Sequence, residues 1–227
     1  MTVFRLADDM VFPPSEMAED NGLLAVGGDL SERRLLLAYS LGIFPWYSDG
    51  SPILWWSPDP RLVLIPEELR VSRSLRQVIK KGIYSVTMDV AFDVVIRNCA
   101  AGRGRKEEGT WITDEMINAY NRLHELGFAH SVEVWRDGSM VGGLYGVAMG
   151  AVYFGESMFS EMKDASKVAL VKLVGYLIEK GYKLIDCQVP TEHLISMGAK
   201  EVSREEFQVM FEKALKVSMD PGKWSLT

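Results

Sequence analysis

The stretch AHSVEVWRDGSMVGGLYGVAMGAVYFGESMFS, residues 129–160, decides the fold that the sequence predicts. It holds three runs rich in Val, Tyr, Phe and other residues that favour strands. Two turn signals, Asp137-Gly138 and Gly150, separate the runs. Strand-like runs joined by such short turns are typical of β-hairpins. We therefore expect a meander of three consecutive antiparallel strands.

The segment before the meander predicts one strand and two helices. Residues 83–89 have the composition of a strand, and residues 91–100 have the apolar spacing of a helix. Residues 114–126 predict a second helix, which ends at Gly127 because glycine readily adopts the left-handed conformation that terminates helices.

The segment after the meander predicts a buried helix and a returning strand. Residues 165–180 are apolar on most of the helix circumference, with Asp164 or Ser166 as the N-cap and Gly181 as the stop. Residues 183–189 predict a strand, and residues 200–216 a last strand or helical hairpin. The resulting order, β-α-α-β-β-β-α-β, is that of a mixed α/β (α+β) protein with a largely antiparallel sheet, and not of a doubly wound one.

The N-terminal part has a different composition. The stretch GIFPWYSDGSPILWWSPDPR, residues 42–61, is rich in Trp, Pro and Gly, and residues 31–40 form the only clear amphipathic segment before it. The change in composition near residue 62 predicts a small Trp/Pro-rich N-terminal domain at 1–62 and a catalytic domain at 63–227.

Composition excludes several classes of protein. The chain has 227 residues, of which 48% are hydrophobic, and a net charge of -6, which argues against an extended nucleic-acid-binding surface. The start, MTVFRLADDMVFPP, lacks a signal-peptide pattern, and no apolar run is as long as a membrane span. We expect a cytoplasmic protein with no membrane partner. His124 and His130 lack metal-ligand spacing, so we expect no metal.

The predicted element order is similar to the fold of the GCN5-related N-acetyltransferases. In that superfamily a glycine-rich turn between the fourth strand and the next helix binds the pyrophosphate of coenzyme A. The corresponding turn here, SMFSEMKDASK at residues 157–167, has no glycine and carries Glu161 and Asp164, which repel phosphate. We therefore expect no coenzyme A, and a donor whose acyl group arrives on another carrier.

Four motifs resemble the bacterial leucyl/phenylalanyl-tRNA–protein transferases: GGDLSERRLLLAYSLGIFPWYSDGSPILWWSPDPR at 27–61, EEGTWIT at 107–113, GESMFS at 155–160 and LIDCQV at 184–189. The resemblance implies a small N-terminal domain followed by an acyltransferase-like domain. It also implies transfer of Leu or Phe, and also Met, from aminoacyl-tRNA to the α-amino group of proteins that begin with Arg or Lys, which marks them for degradation. We expect no cofactor, since aminolysis of an ester proceeds downhill without ATP.

The resemblance also assigns the donor-binding residues. Trp46 and Trp111 are implied to stack on the 3′-terminal adenosine, whereas Trp55 and Trp56 are expected in the core. The aminoacyl side chain is implied to enter an apolar pocket, although such a set of residues is more often plain core. The implied pocket residues are Leu144, Tyr153, Met158, Leu170, Leu173, Leu177 and Ile185.

Three polar residues are candidates for catalysis. Asp186 and Gln188 are two apart in a predicted strand, so we expect them on one face with Cys187 pointing away. Asp186 would accept a proton from the attacking amine while Gln188 orients it, although an Asp in so apolar a run can equally be structural. Glu156 would attract the cationic side chain or the amine of the acceptor, and the alternative for it is a solvent-facing residue at a strand end.

A basic segment, RVSRSLRQVIKKG at residues 70–82, is the candidate for binding tRNA phosphates. If it is helical, spacings of three and four put several cations on one side, but a solvated helix face is the usual role of such a run. Its basic residues are Arg70, Arg73, Arg76, Lys80 and Lys81.

Two other classes of function remain open. A coenzyme A-dependent N-acetyltransferase is the nearest enzyme alternative, and the glycine-free turn argues against it. A non-enzymatic module that binds carbohydrate or proline-rich peptide through its tryptophans is the other, and it leaves Asp186 and Gln188 without a role.

Overall fold

A computed structural model describes residues 3–102 and 111–226 of the chain. Within these residues the strands form two sheets. The smaller sheet has the order β1-β2-β4-β3, in which β1 pairs in parallel with β2 and the other pairs are antiparallel. Its strands are β1 (Phe4–Leu6), β2 (Leu23–Gly27), β3 (Phe44–Pro45) and β4 (Leu54–Trp56).

The larger sheet has the order β11-β5-β10-β9-β8-β7-β6 and is antiparallel except for the parallel pair β9 and β10. Its central strands β7, β8 and β9 are the meander predicted from residues 129–160, which is confirmed. The strands are β5 (Arg61–Leu64), β6 (Ser85–Met88), β7 (Ala129–Arg136), β8 (Ser139–Met149), β9 (Val152–Ser160), β10 (Leu184–Gln188) and β11 (Lys200–Val202).

Seven α-helices occur in the described residues, with short 3-10 turns at Ser15–Met17 and Pro66–Glu68. Most begin at a Ser or Thr whose hydroxyl accepts a backbone N–H of the first turn, as Ser31 does from Arg34. The helices are α1 (Glu32–Ser40), α2 (Arg73–Lys80), α3 (Phe92–Ala101), α4 (Asp114–Glu125), α5 (Ala165–Lys180), α6 (Glu192–Ser196) and α7 (Arg204–Leu215).

Helix α5 confirms the predicted buried helix and its stop, since Gly181 has a left-handed φ of 85°. Of the two predicted N-caps, Asp164 is confirmed, although it has a φ of 64° and its side chain makes no capping hydrogen bond. The residues after 200 form a short strand and a helix, β11 and α7.

The larger sheet is buried on both faces, and this arrangement separates two apolar cores. Leu144 and Tyr153 belong to the core shared with α5, whereas Tyr145 and Phe154 belong to the core shared with α3, α4 and the N-terminal sheet. The mixed α/β class with a largely antiparallel main sheet is confirmed. The division between residues 62 and 63 falls within β5 and stays a prediction. Within residues 3–102 and 111–226, no helix is long and apolar enough to cross a bilayer.

Candidate active site

A cavity of about 340 Å³ is lined by residues of both parts of the chain. The N-terminal part contributes β3 and the residue that follows it, Trp46. The larger part contributes the middle of β8 and β9, one side of α5, the end of β10 and the start of α6. The site therefore exists only where the two sheets are brought together.

The cavity wall is mainly apolar and contains six of the seven residues expected in the aminoacyl pocket: Leu144, Tyr153, Met158, Leu170, Leu173 and Ile185. Leu177, the seventh, does not line the cavity but is fully buried in the same core, one helical turn beyond Leu173. In this wall Tyr153 is 1% exposed, and its hydroxyl has no hydrogen-bond partner among the described residues.

The two tryptophans expected at the adenosine site, Trp46 and Trp111, both line the cavity. Trp46 is 42% exposed, and its backbone carbonyl accepts the indole N–H of Trp56 at 2.6 Å. The Trp46 and Trp56 rings are 5.8 Å apart, centroid to centroid. Trp55 is fully buried and Trp56 partly so, as expected for core residues. Of the motif at 107–113, residues 107–110 lie outside the described residues.

Glu156 lines the cavity from β9 and is buried, so the alternative of a solvent-facing strand end is wrong. Its carboxylate accepts hydrogen bonds from the Tyr39 hydroxyl at 2.8 Å, the Tyr120 hydroxyl at 3.0 Å and the Gln188 amide at 3.1 Å. Burial raises the pKa of Glu156 to about 7, with a further contribution from the charge of Asp186. The group can therefore exchange a proton near neutral pH.

The end of β10 differs from the predicted strand alternation. Cys187 and Gln188 line the cavity, whereas Asp186 does not, so the expectation that Asp186 and Gln188 share a face and Cys187 points away is corrected. The physical reason is a register shift between Asp186 and Gln188 together with a left-handed φ of 64° at Gln188. This kink turns the Gln188 side chain towards Glu156.

Asp186 is fully buried and forms an ion pair with Arg61, whose Nη2 donates to Asp186 Oδ2 at 2.6 Å. The other carboxylate oxygen, Oδ1, accepts from Arg61 Nε at 2.9 Å and from the Gln188 backbone N–H at 2.9 Å. The negative charge next to the site is therefore already paired within the protein.

Sequence reasoning missed several lining residues, which include Phe44, Cys187, Thr191 and His193. Phe44 lies within the quoted Trp-rich stretch, which was the available signal for it, but nothing in the local pattern points to His193. Burial lowers the pKa of His193, and Lys167 lowers it further. Its Nε2 is buried without a hydrogen-bond partner in the described part of the chain.

The basic residues expected to bind phosphate lie on and beside α2, which packs on α5. None of them has an ion-pair partner within residues 3–102 and 111–226, and all five are exposed: Arg70, Arg73, Arg76, Lys80 and Lys81. An amphipathic helix that buries Leu75 and leaves its cations to solvent is available to bind an anionic partner.

Comparison with known proteins matches this arrangement to one family. The family model described as leucyl/phenylalanyl-tRNA protein transferase matches residues 63–212, and the model of that family's N-terminal domain matches residues 28–59. The chain belongs to the leucyl/phenylalanyl-tRNA protein transferase family. The two models match a small N-terminal part and a larger part that follows it, in the order that the sequence predicts.

Members of the transferase family resemble the chain over nearly their whole length. The leucyl/phenylalanyl-tRNA–protein transferase of Syntrophobacter fumaroxidans is 58% identical and covers 99% of this chain and 96% of its own. The leucyl/phenylalanyl-tRNA–protein transferase of Desulforapulum autotrophicum is 53% identical and covers 100% of this chain and 99% of its own.

Two solved structures with other names resemble the transferase distantly. FemX has a TM-score of 0.48 and 10% identity, covering 79% of this chain and 71% of its own. A GCN5-related N-acetyltransferase from Kribbella flavida has a TM-score of 0.39 and 11% identity, covering 74% and 60%.

Proposed function

We propose that the chain transfers Leu or Phe, and also Met, from aminoacyl-tRNA to the α-amino group of proteins that begin with Arg or Lys, which marks them for degradation. Membership of the family identifies the chain as an aminoacyltransferase with an aminoacyl-tRNA donor and a protein acceptor. The observation that carries the proposal is one cavity that combines an apolar wall, two indole rings and the Glu156–Gln188 pair.

The reaction is aminolysis of an ester. The amine nitrogen attacks the aminoacyl carbonyl carbon, the C–N bond forms, and the bond from that carbon to the ribose oxygen breaks. One proton leaves the nitrogen and one reaches the ribose oxygen, so no further reactant is needed. Because an α-amino group has a pKa of about 7.7–8.0, an appreciable fraction is already neutral near pH 7. The enzyme's main tasks are positioning and proton transfer.

In this proposal Glu156, and not Asp186, receives the proton of the attacking amine. Glu156 lines the cavity and has a pKa of about 7, close to that of the amine, which favours proton transfer in either direction. The Gln188 amide donates a hydrogen bond to Glu156. Because the Gln188 side chain reaches the cavity, it can also orient the amine. Asp186 is held by Arg61 behind the wall and acts by positioning Gln188.

For the donor, we propose that the terminal adenine stacks on Trp46 and Trp111 and that the aminoacyl side chain occupies the apolar wall. Stacking of a base on an aromatic side chain contributes about 1–3 kcal/mol. The exposure of Trp46 on a cavity edge supports this role, because an indole needed only for the core would be buried as Trp55 is. The exposed cations of α2 would bind the phosphates of the tRNA body.

A coenzyme A-dependent acetyltransferase is disfavoured by the turn between β9 and α5. The backbone N–H groups of Glu161 and Met162 both donate to the carbonyl of Val141, at 2.9 and 3.2 Å. The N–H of Ala165 donates to Met162, and that of Ser166 to the Ser160 hydroxyl. These donors are occupied and do not face a pyrophosphate. A tryptophan-lined binding module would in turn give no role to the buried, hydrogen-bonded carboxyl of Glu156.

The proposal is tested with purified protein, labelled Leu-tRNA and a peptide that begins with Arg. We expect label in that peptide, and none in matched peptides that begin with Gly or Glu. Acetyl-coenzyme A replaces the tRNA in a parallel reaction. Label that reached peptide only from the acyl-coenzyme A would refute the proposal, and transfer that did not depend on the first residue of the peptide would refute its acceptor preference.

A further inference from the structure

Arg61 is a buried cation at the junction of the two sheets. It is 1% exposed, and its guanidinium carbon lies over the rings of Phe44 and Phe207, at 4.8 and 4.7 Å from their centroids. Its Nε and Nη2 donate hydrogen bonds to the Asp186 carboxylate, and Nη2 also donates a hydrogen bond to the carbonyl of Gly42 at 3.0 Å. Two aromatic rings and three hydrogen bonds therefore fix the position of the guanidinium.

Stability alone does not account for this arrangement. A buried ion pair is often no more stabilising than apolar side chains of the same volume, because both charges lose their hydration. In addition, Nη1 of Arg61 is buried and has no hydrogen-bond partner in the described residues. A charge that is held so firmly, with one donor unsatisfied, points to a requirement for geometry.

The contacts of Asp186 indicate what that geometry serves. Its Oδ1 accepts both from Arg61 Nε and from the backbone N–H of Gln188, so the carboxylate links the arginine to the kinked end of β10. The left-handed φ of Gln188 is unfavourable for a residue with a side chain and persists only where neighbours hold it. Through this kink the Gln188 amide reaches Glu156.

We propose that Arg61 is a positioning residue for the transfer reaction: through Asp186 it holds Gln188 in the conformation that presents its amide to Glu156 and to the attacking amine. The N-terminal part thus supplies, through Gly42 and Phe44, part of the frame that orients a catalytic side chain of the larger part. This inference rests on the proposed function, because it assumes that Gln188 orients the amine.

The first test is Arg61→Lys, which keeps the positive charge but removes the planar fork that bonds both carboxylate oxygens. Transfer to an Arg-initial peptide at saturating concentration is followed over a range of labelled Leu-tRNA concentrations, which gives both kcat and the KM for the donor. We expect kcat to fall by about 10²-fold, the effect of misplacing a reacting group by about 1 Å. The KM for Leu-tRNA should stay within about threefold, because the tryptophans and the apolar wall are unchanged.

Arg34→Lys is the matched control. Arg34 is also fully buried and paired with an aspartate, Asp29, and it donates to the backbone carbonyls of Ala7 and Asp9, away from β10. The same loss of a guanidinium fork should lower Tm to a similar degree and leave kcat unchanged. If kcat fell equally in both variants, general destabilisation would explain the loss in Arg61→Lys, and the proposal would be overturned.

A double-mutant cycle separates positioning from stability. If Arg61 acts through Gln188, then Arg61→Lys should lower kcat little further in a Gln188→Ala background. Additive losses would overturn the proposal. If Arg61→Lys fails to fold, the pair Arg61→Met with Asp186→Leu replaces the ion pair by apolar groups, which buried pairs often tolerate. We expect this variant to fold and to lose kcat, and a kcat within twofold of the unmodified chain would refute the role.

The activity of the unmodified chain distinguishes the two levels of inference. If it transfers no Leu from tRNA, the proposed function itself fails, whatever the variants do. If it does transfer Leu and the Arg61 variants keep a normal kcat, only the positioning role fails.

Discussion

The Glu156 carboxyl forms a hydrogen-bonded cluster with the hydroxyls of Tyr39 and Tyr120. When the carboxyl is ionised, this cluster has one proton too few for its hydrogen bonds. The two hydroxyls each donate to Glu156, and their oxygens are also 2.5 Å from each other. Each of the three oxygen–oxygen contacts needs one proton to be a hydrogen bond. The two hydroxyls supply two protons, and a neutral carboxyl supplies the third proton. Burial raises the pKa of Glu156 to about 7, and the hydrogen bonds from the two hydroxyls partly offset that effect.

Glu156→Gln should change how stability depends on pH. The pKa of Glu156 rises from 4.5 to about 7 on folding, so below pH 4.5 both states hold the proton. Between pH 4.5 and pH 7 only the folded state holds the proton. The free energy of unfolding therefore falls as pH rises, by about 3 kcal/mol in total. Above pH 7 the loss is complete. Urea unfolding at pH 5 and pH 8 should show this loss in the unmodified chain and not in the variant.

The activity of Glu156→Gln should fall by about 10²–10⁴-fold if the carboxylate accepts the proton. Glu133→Gln is the matched control, since Glu133 is fully buried in β7, accepts from the hydroxyls of Thr87 and Ser131, and does not line the cavity. An unchanged kcat in Glu156→Gln, or the same pH dependence of stability as the unmodified chain, would contradict the assignment.

Trp46→Ala should weaken use of the aminoacyl-tRNA donor without unfolding the protein. Trp46 is 42% exposed, so little core packing is lost, but a stacking contribution of about 1–3 kcal/mol disappears and should appear in kcat/KM for Leu-tRNA. Trp111→Ala should act in the same way. By contrast, Trp55→Ala, in a fully buried residue, should cost about 3–5 kcal/mol of stability, as thermal unfolding will measure. Normal donor kinetics in both Trp46 and Trp111 variants would remove the stacking role.

At the scale of elements, the end of β10 departs from regular strand geometry. The positive φ of Gln188 is unfavourable by roughly 1 kcal/mol for any residue except glycine. Gln188→Gly should therefore be more stable than Gln188→Ala by about 1 kcal/mol, the reverse of the usual order of these two residues. Both variants should lose activity equally because both lack the amide. Thermal unfolding that found the alanine variant at least as stable would show that the kink is not retained.

Helix α2 is the element that we expect to bind tRNA phosphates. Replacing Arg73, Arg76 and Lys80 with Gln removes three cations from its exposed surface. The slope of log Kd for tRNA against log salt concentration should become shallower by about 2–3 units, since fewer counterions are released. Transfer from an aminoacyl-adenosine donor, which has no tRNA body, should be almost unaffected.

The matched control for α2 changes the net charge equally at another place. Lys180, Lys213 and Lys216 are exposed cations at the ends of α5 and α7, and their replacement with Gln should leave the salt slope unchanged. If the control triple lowered the slope as much as the α2 triple, the binding would depend on total charge and not on this helix.

At the scale of the whole molecule, the N-terminal part is tied to the site by Tyr39 of α1. Its hydroxyl donates to Glu156 of β9, and this hydrogen bond lowers the pKa of that carboxyl against the effect of burial. Tyr39→Phe should therefore raise the pKa of Glu156 further, move the acid limb of the kcat profile to higher pH, and cost about 1–3 kcal/mol of stability.

Tyr153→Phe is the control for this link, because the Tyr153 hydroxyl is equally buried but has no partner among the described residues. Its removal should be neutral or slightly stabilising and should not shift the pH profile. A Tyr39→Phe profile that overlaps that of the unmodified chain would mean that the hydroxyl does not influence the reacting carboxyl.

The sequence by itself determined the local structure, that is, the helices and strands that short stretches of chain form. The strand-favouring runs and turn residues of 129–160 predicted the meander, and the apolar circumference of residues 165–180 predicted α5, because strand propensity, turn chemistry and the burial of a helix face depend on short stretches of the chain. The motifs also identified the family, and six of the expected pocket residues line the cavity.

Only the tertiary structure decided which side chains pair and which line the cavity. In LIDCQV the sequence predicts Asp186 as the residue that accepts the proton of the amine. Its partner Arg61 is 125 residues away, and a strand pattern carries no information about a partner so distant. The kink at Gln188 depends on that same pair, and Tyr39 reaches Glu156 across 117 residues. The roles of these charged groups depend on burial and on neighbours brought together by folding, because a carboxyl changes its protonation and its function with the groups that surround it.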